Sequence, residues 1–114
     1  IVEYSKLNHF ERRYVLDSIS RMPQNYDYML VDTAPGIADN VLFLNSAAQQ
    51  VAVILTPDPS SFADSYALIK VLNQKHRVKN FSIVCNFVKN EHEGMMLYSR
   101  FQDVVSRFLN VKLD

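Results

Sequence analysis

Glycine is nearly missing from this sequence. The 114 residues contain two, Gly36 and Gly94, far apart in the chain. A phosphate-cradling loop gathers several glycines so that successive backbone N–H groups can turn toward one anion. No such loop lies in these residues. A single cysteine, Cys85, excludes a disulfide framework and any zinc site built on two or more thiolates. It reads as a small core hydrophobe. Twelve basic and twelve acidic side chains cancel, which disfavours a general nucleic-acid binder, whose affinity rests on surplus cations. No run reaches the roughly 18 apolar residues that a membrane span needs. The opening residues lack the basic and apolar segments of a secretory signal. His9, His76 and His92 fall on different expected elements, which speaks against a metal cluster.

What is present suits a packed domain. Apolar residues make up 48% of the chain, far above the level of a disordered one. The length fits one domain or less. The chain opens Ile1-Val2-Glu3-Tyr4 and closes Asn110–Asp114 as an apolar strand begins. We read it as an internal piece of a longer protein.

The pattern alternates. Asn8 and Glu11 have capping-box spacing, and a helix is expected over 9–21, stopped by Pro23. Tyr26–Asp32 is a nearly continuous apolar run, the signature of a strand buried on both faces. Thr33-Ala34-Pro35-Gly36 breaks it. A helix is expected over 39–48, a second strand over 50–56, a loop at 57–61 and a helix over 62–75 capped by Ser60 or Ser61. A third strand spans 81–86. The clearest helix, 94–109, carries Leu97, Phe101, Val104, Val105 and Phe108 on one stripe. Met95 and Met96 look like packing residues. Residues 111–114 open a fourth strand. Alternation of this kind predicts an α/β fold, a parallel sheet with helices on both faces. Ligands of such sheets bind beyond the carboxyl ends of the strands.

The neutral total hides an uneven distribution. Between Met22 and Ile69 stand five aspartates (27, 32, 39, 58 and 64) and no lysine or arginine. Most fall where a strand ends. An acidic mouth there suits Mg²⁺ and not a bare phosphate, so a nucleotide would need cations from other residues. Asp39 and Asp64 are also explained as ordinary helix-start residues. Lys70, Lys75, Arg77 and Lys79 gather at the opposite rim, as a solvated face.

Asp32 is the residue of most interest. A carboxylate closing a buried strand is rigid and faces the crevice, where it can hold Mg²⁺ through water. Gly36 lacks a side chain, so its N–H can approach a terminal phosphate closely. Tyr26–Ile37, Ala47–Lys70 and Val84-Cys85-Asn86 together resemble the MinD/ParA family of P-loop ATPases, the deviant Walker A or SIMIBI class, and most of all its flagellar-number regulators (FlhG/FleN type). The resemblance covers about residues 26–114. It implies the carboxyl-side half of a P-loop NTPase domain, with ATP or ADP and Mg²⁺ as ligands. It implies that Asp32 is the switch II carboxylate near Mg²⁺ and Gly36 the hinge beside the γ-phosphate. It implies that Asn86 contacts the base, and that the Thr56–Ser61 loop, with Pro57 and Asp58, borders the base or the partner interface. It further implies an ATP-dependent homodimer in the cytoplasm. A flagellar regulator or GTPase partner would follow, with peripheral contact to the inner membrane face through segments outside this sequence.

The phosphate loop, the switch I aspartate and the later base-binding loop are not among these residues, so the 114 residues alone are expected to be inactive. Other positioning ATPases of the family, for division sites or DNA partitioning, fit the same motifs. A non-catalytic module that has lost its nucleotide site is a further alternative. A phosphoacceptor receiver domain fits less well: no acidic pair precedes Asp32, and Pro35 lies three residues after it instead of four.

Overall fold

In the computed structural model, residues 9–23 and 25–114 are described. The elements run α1 (His9–Ser20), α2 (Asp39–Ala47), β1 (Ala52–Leu55), α3 (Pro59–His76), β2 (Asn80–Cys85), α4 (Glu91–Phe108) and β3 (Lys112–Leu113). The three strands form one parallel sheet in the order β1-β2-β3. Parallel neighbours require crossovers, and α3 and α4 supply them. The expected α/β class is therefore observed.

Alternation within the strands sets the core. Val53 and Leu55 point inward, and their register partners are Ile83 and Cys85. Ile69 and Leu72 of α3, Phe81 of β2 and Phe101 and Val105 of α4 close over that face. The rings of Phe62 and Phe101 meet edge-to-face, with centroids 5.1 Å apart, so α3 and α4 lie side by side on it. Each fully buried side chain of this size contributes about 1.5–3 kcal/mol. The Tyr98 hydroxyl donates to the Leu113 carbonyl at 3.1 Å and fastens α4 to β3. On the opposite face Ile54 (52% exposed) sits beside Val84 (47%), with which it is in register. Consecutive crossovers in a sheet of sequential order fall on one side, so α3 and α4 leave that second face open.

Several sequence expectations change. Tyr26–Asp32 is not a strand: it pairs with nothing among the described residues, and Leu30 is 95% exposed. An apolar run becomes a strand only when a neighbour takes its N–H and C=O groups. Here no described residue takes them: β1 lies across an open cleft and does not pair with the segment. Helix α3 begins at Pro59, with Asp58 and not Ser60 or Ser61 as its N-cap. Asp64 therefore lies past the first turn, so the helix-start explanation does not apply to it. Asp39 is in the first turn of α2, whose N-cap, Ala38, makes no side-chain capping bond. Met95, Met96 and Phe108 are exposed instead of packed. Asn8 lies outside the described residues, so the first capping box is not visible.

Candidate functional site

Both paired strands end at one rim of the sheet. The Asn86 backbone N–H donates to the Leu55 carbonyl at 2.8 Å, one residue beyond the register pair Leu55–Cys85. The chain then leaves β1 through Thr56–Asp58 and β2 through Asn86–Asn90.

The loop after β1 is organised around Asp58. One carboxylate oxygen accepts from the Ser60 hydroxyl (2.7 Å) and the Ser61 N–H (2.8 Å). The other accepts from the Thr56 hydroxyl. In return, the Ser61 hydroxyl accepts from the Thr56 N–H at 3.0 Å. Pro59 starts the helix without wasting an N–H. The Thr56 hydroxyl, then Ser60 and the Ser61 N–H, hold the Asp58 carboxyl down at about 2, because each donor favours the charged form. Asp58 is thus the keystone of a stiff loop.

A wide cleft of about 1330 Å³ opens between the 27–36 segment and β1. Asp27, Asp32, Asp58 and Asp64 all line it, with Thr33, Gly36, Thr56, Ser60 and Ser61. Four of the five aspartates singled out above therefore share one space. Among the described residues no lysine, arginine or histidine lines it. No three acidic, histidine or cysteine side chains among the described residues, however, come close enough together to hold a metal ion, so a hydrated Mg²⁺ would meet these carboxylates singly and through water. The anionic phosphates of a nucleotide would need cations from other residues. Gly36 has φ +103°, a conformation that suits glycine, and a Cβ built there would meet nothing within 4 Å. Its lack of a side chain therefore serves backbone shape and not close packing.

Asn86 and Pro57 lie outside this cleft lining. Asn86 is exposed, and its side-chain amide makes no hydrogen bond among the described residues. Asp32, Gly36 and Asp58 thus border one wide cleft, whereas Asn86 and Pro57 follow the ends of β2 and β1 outside it.

Two features were missed. Asn90 caps α4, its Oδ1 accepting from the Glu93 N–H at 2.8 Å. The Asn-x-x-Glu spacing at 90–93 carried that signal. Phe87 has φ +58° and is 80% exposed. Sequence gives no hint of this, because positive φ is read from glycine and asparagine. Cys85 packs against the core, and burial pushes its thiol pKa up, as expected of an inert cysteine. No helix among the described residues is long and apolar enough to cross a membrane.

No family model matches the chain. Among curated proteins it is similar to the antiactivator FleN of Pseudomonas aeruginosa, 36% identical over 107 residues, which cover 94% of this chain and 38% of FleN. It is also similar to the flagellum site-determining protein YlxH of Helicobacter pylori, 43% identical over 75 residues (65% of this chain, 24% of YlxH). The septum site-determining protein MinD of Bacillus subtilis is 25% identical over 76 residues (67% of this chain, 28% of MinD). The chain spans well under half the length of each of these relatives.

Proposed function

The chain belongs to the MinD/ParA family, and from that premise we propose that it is part of an ATP-binding, ATP-hydrolysing dimerisation switch controlling flagellar number or placement. In this reading residues 1–114 are a partial ATPase domain, running from switch II to the base-binding strand. What supports it is the shared cleft: Asp32 and Gly36 line one acidic space that runs along β1.

A bound Mg²⁺ would supply neutralisation of phosphate charge. Asp32 would hold the ion through water. Gly36, free to keep its positive φ, would offer its N–H to the terminal phosphate. The Asp58-centred loop keeps the wall of the cleft in one shape. The Asn86 amide reads the base edge, with Pro57 beside it. Lysines from outside these residues complete the phosphate cradle, which is why the 114 residues alone are inactive.

A switch of this type works in the cytoplasm as an ATP-dependent homodimer. It meets a flagellar regulator or a GTPase, and touches the membrane through segments outside this sequence. The similarity to MinD supports site selection in cell division as the second reading. Deleting the gene and counting flagella per cell tests the first. Altered flagellar number with normal division supports it, whereas misplaced septa with normal flagella favour the second.

A further inference from the structure

Positive charge gathers at the amino-end rim of the sheet, the rim opposite the Asp58 loop. In a parallel sheet each crossover helix runs back from the carboxyl ends of the strands to their amino ends, so α3 and α4 both finish at this rim. Lys75 and Arg77 close α3, Arg107 closes α4, Lys79 leads into β2 and Lys112 opens β3. All five are exposed. The Lys112 N–H donates to the Lys79 carbonyl at 2.7 Å, which sets these two residues side by side. No acidic residue occurs between Asp64 and Glu91. Among the described residues none of the five cations is paired with a carboxylate.

Cations at helix ends oppose the macrodipole, which accounts for Lys75 and Arg107. It does not account for Lys79 and Lys112, which stand where strands begin. Nor does it account for the backbone of Arg77, which has φ +58°. The Arg77 N–H donates to the Asn73 carbonyl (3.2 Å) and the Val78 N–H to the Leu72 carbonyl (3.1 Å). Glycine is the usual residue at the left-handed position of such a helix ending, and a side chain there carries strain. The Asn73 amide donates to the Val78 carbonyl at 3.0 Å and locks the turn. The strained arginine is thereby fixed at the rim. Phe108 adds an apolar element. It lies on the α4 stripe that buries Phe101 and Val105, yet it is 71% exposed beside Arg107.

We propose that this rim is a docking surface for an acidic segment of a partner protein. Carboxylates of the segment meet Lys75, Arg77, Lys79 and Lys112, and an apolar side chain between them covers Phe108. Two features favour a peptide over a phosphate-bearing surface. The ends of α3 and α4 present carbonyls that have no partner inside their helices. A peptide brings N–H donors for them as well as carboxylates, whereas phosphodiesters bring acceptors alone. A bilayer takes up a broad apolar face, and over residues 75–80 and 107–112 the one exposed large apolar side chain is Phe108. None of the five cations lines the acidic cleft, so the assignment does not depend on nucleotide binding.

The test uses the intact protein that contains this segment. Fluorescence anisotropy at low salt follows a labelled synthetic peptide rich in glutamate and containing leucine. The same peptide with lysine for glutamate, phosphatidylglycerol vesicles and duplex DNA are compared with it. The glutamate peptide is expected to bind. The combined variant Lys75→Glu, Lys79→Glu, Lys112→Glu is expected to bind it about tenfold more weakly or worse, the worth of several exposed ion pairs, and to bind the lysine peptide instead. Arg77→Gly is expected to unfold at an equal or higher temperature, because glycine accepts φ +58° without strain, and still to bind the glutamate peptide more weakly. A merely structural arginine would leave binding unchanged. Phe108→Ala is expected to weaken binding with the unfolding temperature unaltered. Failure of the unaltered protein to bind the glutamate peptide overturns the proposal, as does binding that the combined variant retains. Binding of vesicles or DNA that the combined variant loses also overturns it, and gives the rim to a phosphate-bearing surface.

Discussion

Asn86 donates its backbone N–H to the Leu55 carbonyl at 2.8 Å, so the residue expected to read the base is anchored to β1 through its main chain. The side chain is left free for a ligand. Structure and recognition are thereby divided between two parts of one residue.

Asn86→Ala keeps that main-chain bond. Thermal unfolding of the intact protein is expected to change by less than about 0.5 kcal/mol, as for ordinary surface substitutions. ATP affinity is expected to fall about fivefold to tenfold, the worth of one hydrogen bond. Calorimetric titration with ATP checks it.

Asp58 gives a pH signature. Its pKa is about 2 in the folded protein against an ordinary value of 3.8. A depressed carboxylate contributes stability that is fully present above the unfolded pKa. That contribution is lost as pH falls through the folded value. Stability supplied by this loop should therefore fade between about pH 4 and pH 2. A carboxyl NMR titration is expected to show the Asp58 midpoint near 2. Asp58→Ala should lose the α3 cap, and Asp58→Asn, whose amide oxygen can still cap, should retain much of it.

Gly36 separates backbone strain from steric clash. With φ +103° and open space around a built Cβ, Gly36→Ala is expected to cost on the order of 1 kcal/mol through the backbone alone. Urea unfolding measures this. Gly36→Asn, which tolerates positive φ better than alanine, should cost less.

The α4 stripe divides into two classes. Phe101 is fully buried against Phe62, and Phe108 is 71% exposed. Phe101→Ala is expected to destabilise by about 3–5 kcal/mol, and Phe108→Ala by less than about 0.5 kcal/mol. Urea midpoints of the two variants decide it.

These residues also show what the sequence made legible. Strands β1 and β2 and helices α3 and α4 were readable because each carries its own period and its packing partners lie nearby in the chain. Leu97, Phe101 and Val105 did pack, while Phe108, in the last turn, is exposed. The Tyr26–Asp32 run reads as a strand, yet a strand is a pairing and not a property of seven residues. No ladder partner for it is among those described. The charge pattern pointed to Asp27, Asp32, Asp58 and Asp64, which border one wide cleft without gathering into a set that could hold a metal ion among the described residues. The role of Asp58 as a cap was hidden by two adjacent serines that are equally good caps in isolation. Phe87 was illegible, since its left-handed φ comes from anchors on either side and not from its own side chain.

The central claim is that Asp32 acts on Mg²⁺-bound ATP, and steady-state ATP hydrolysis by the intact protein carrying Asp32→Asn tests it most directly. The expected result is a fall in turnover of about 100-fold or more, with folding intact by circular dichroism. Hydrolysis by Asp32→Asn at the unaltered rate would contradict the account.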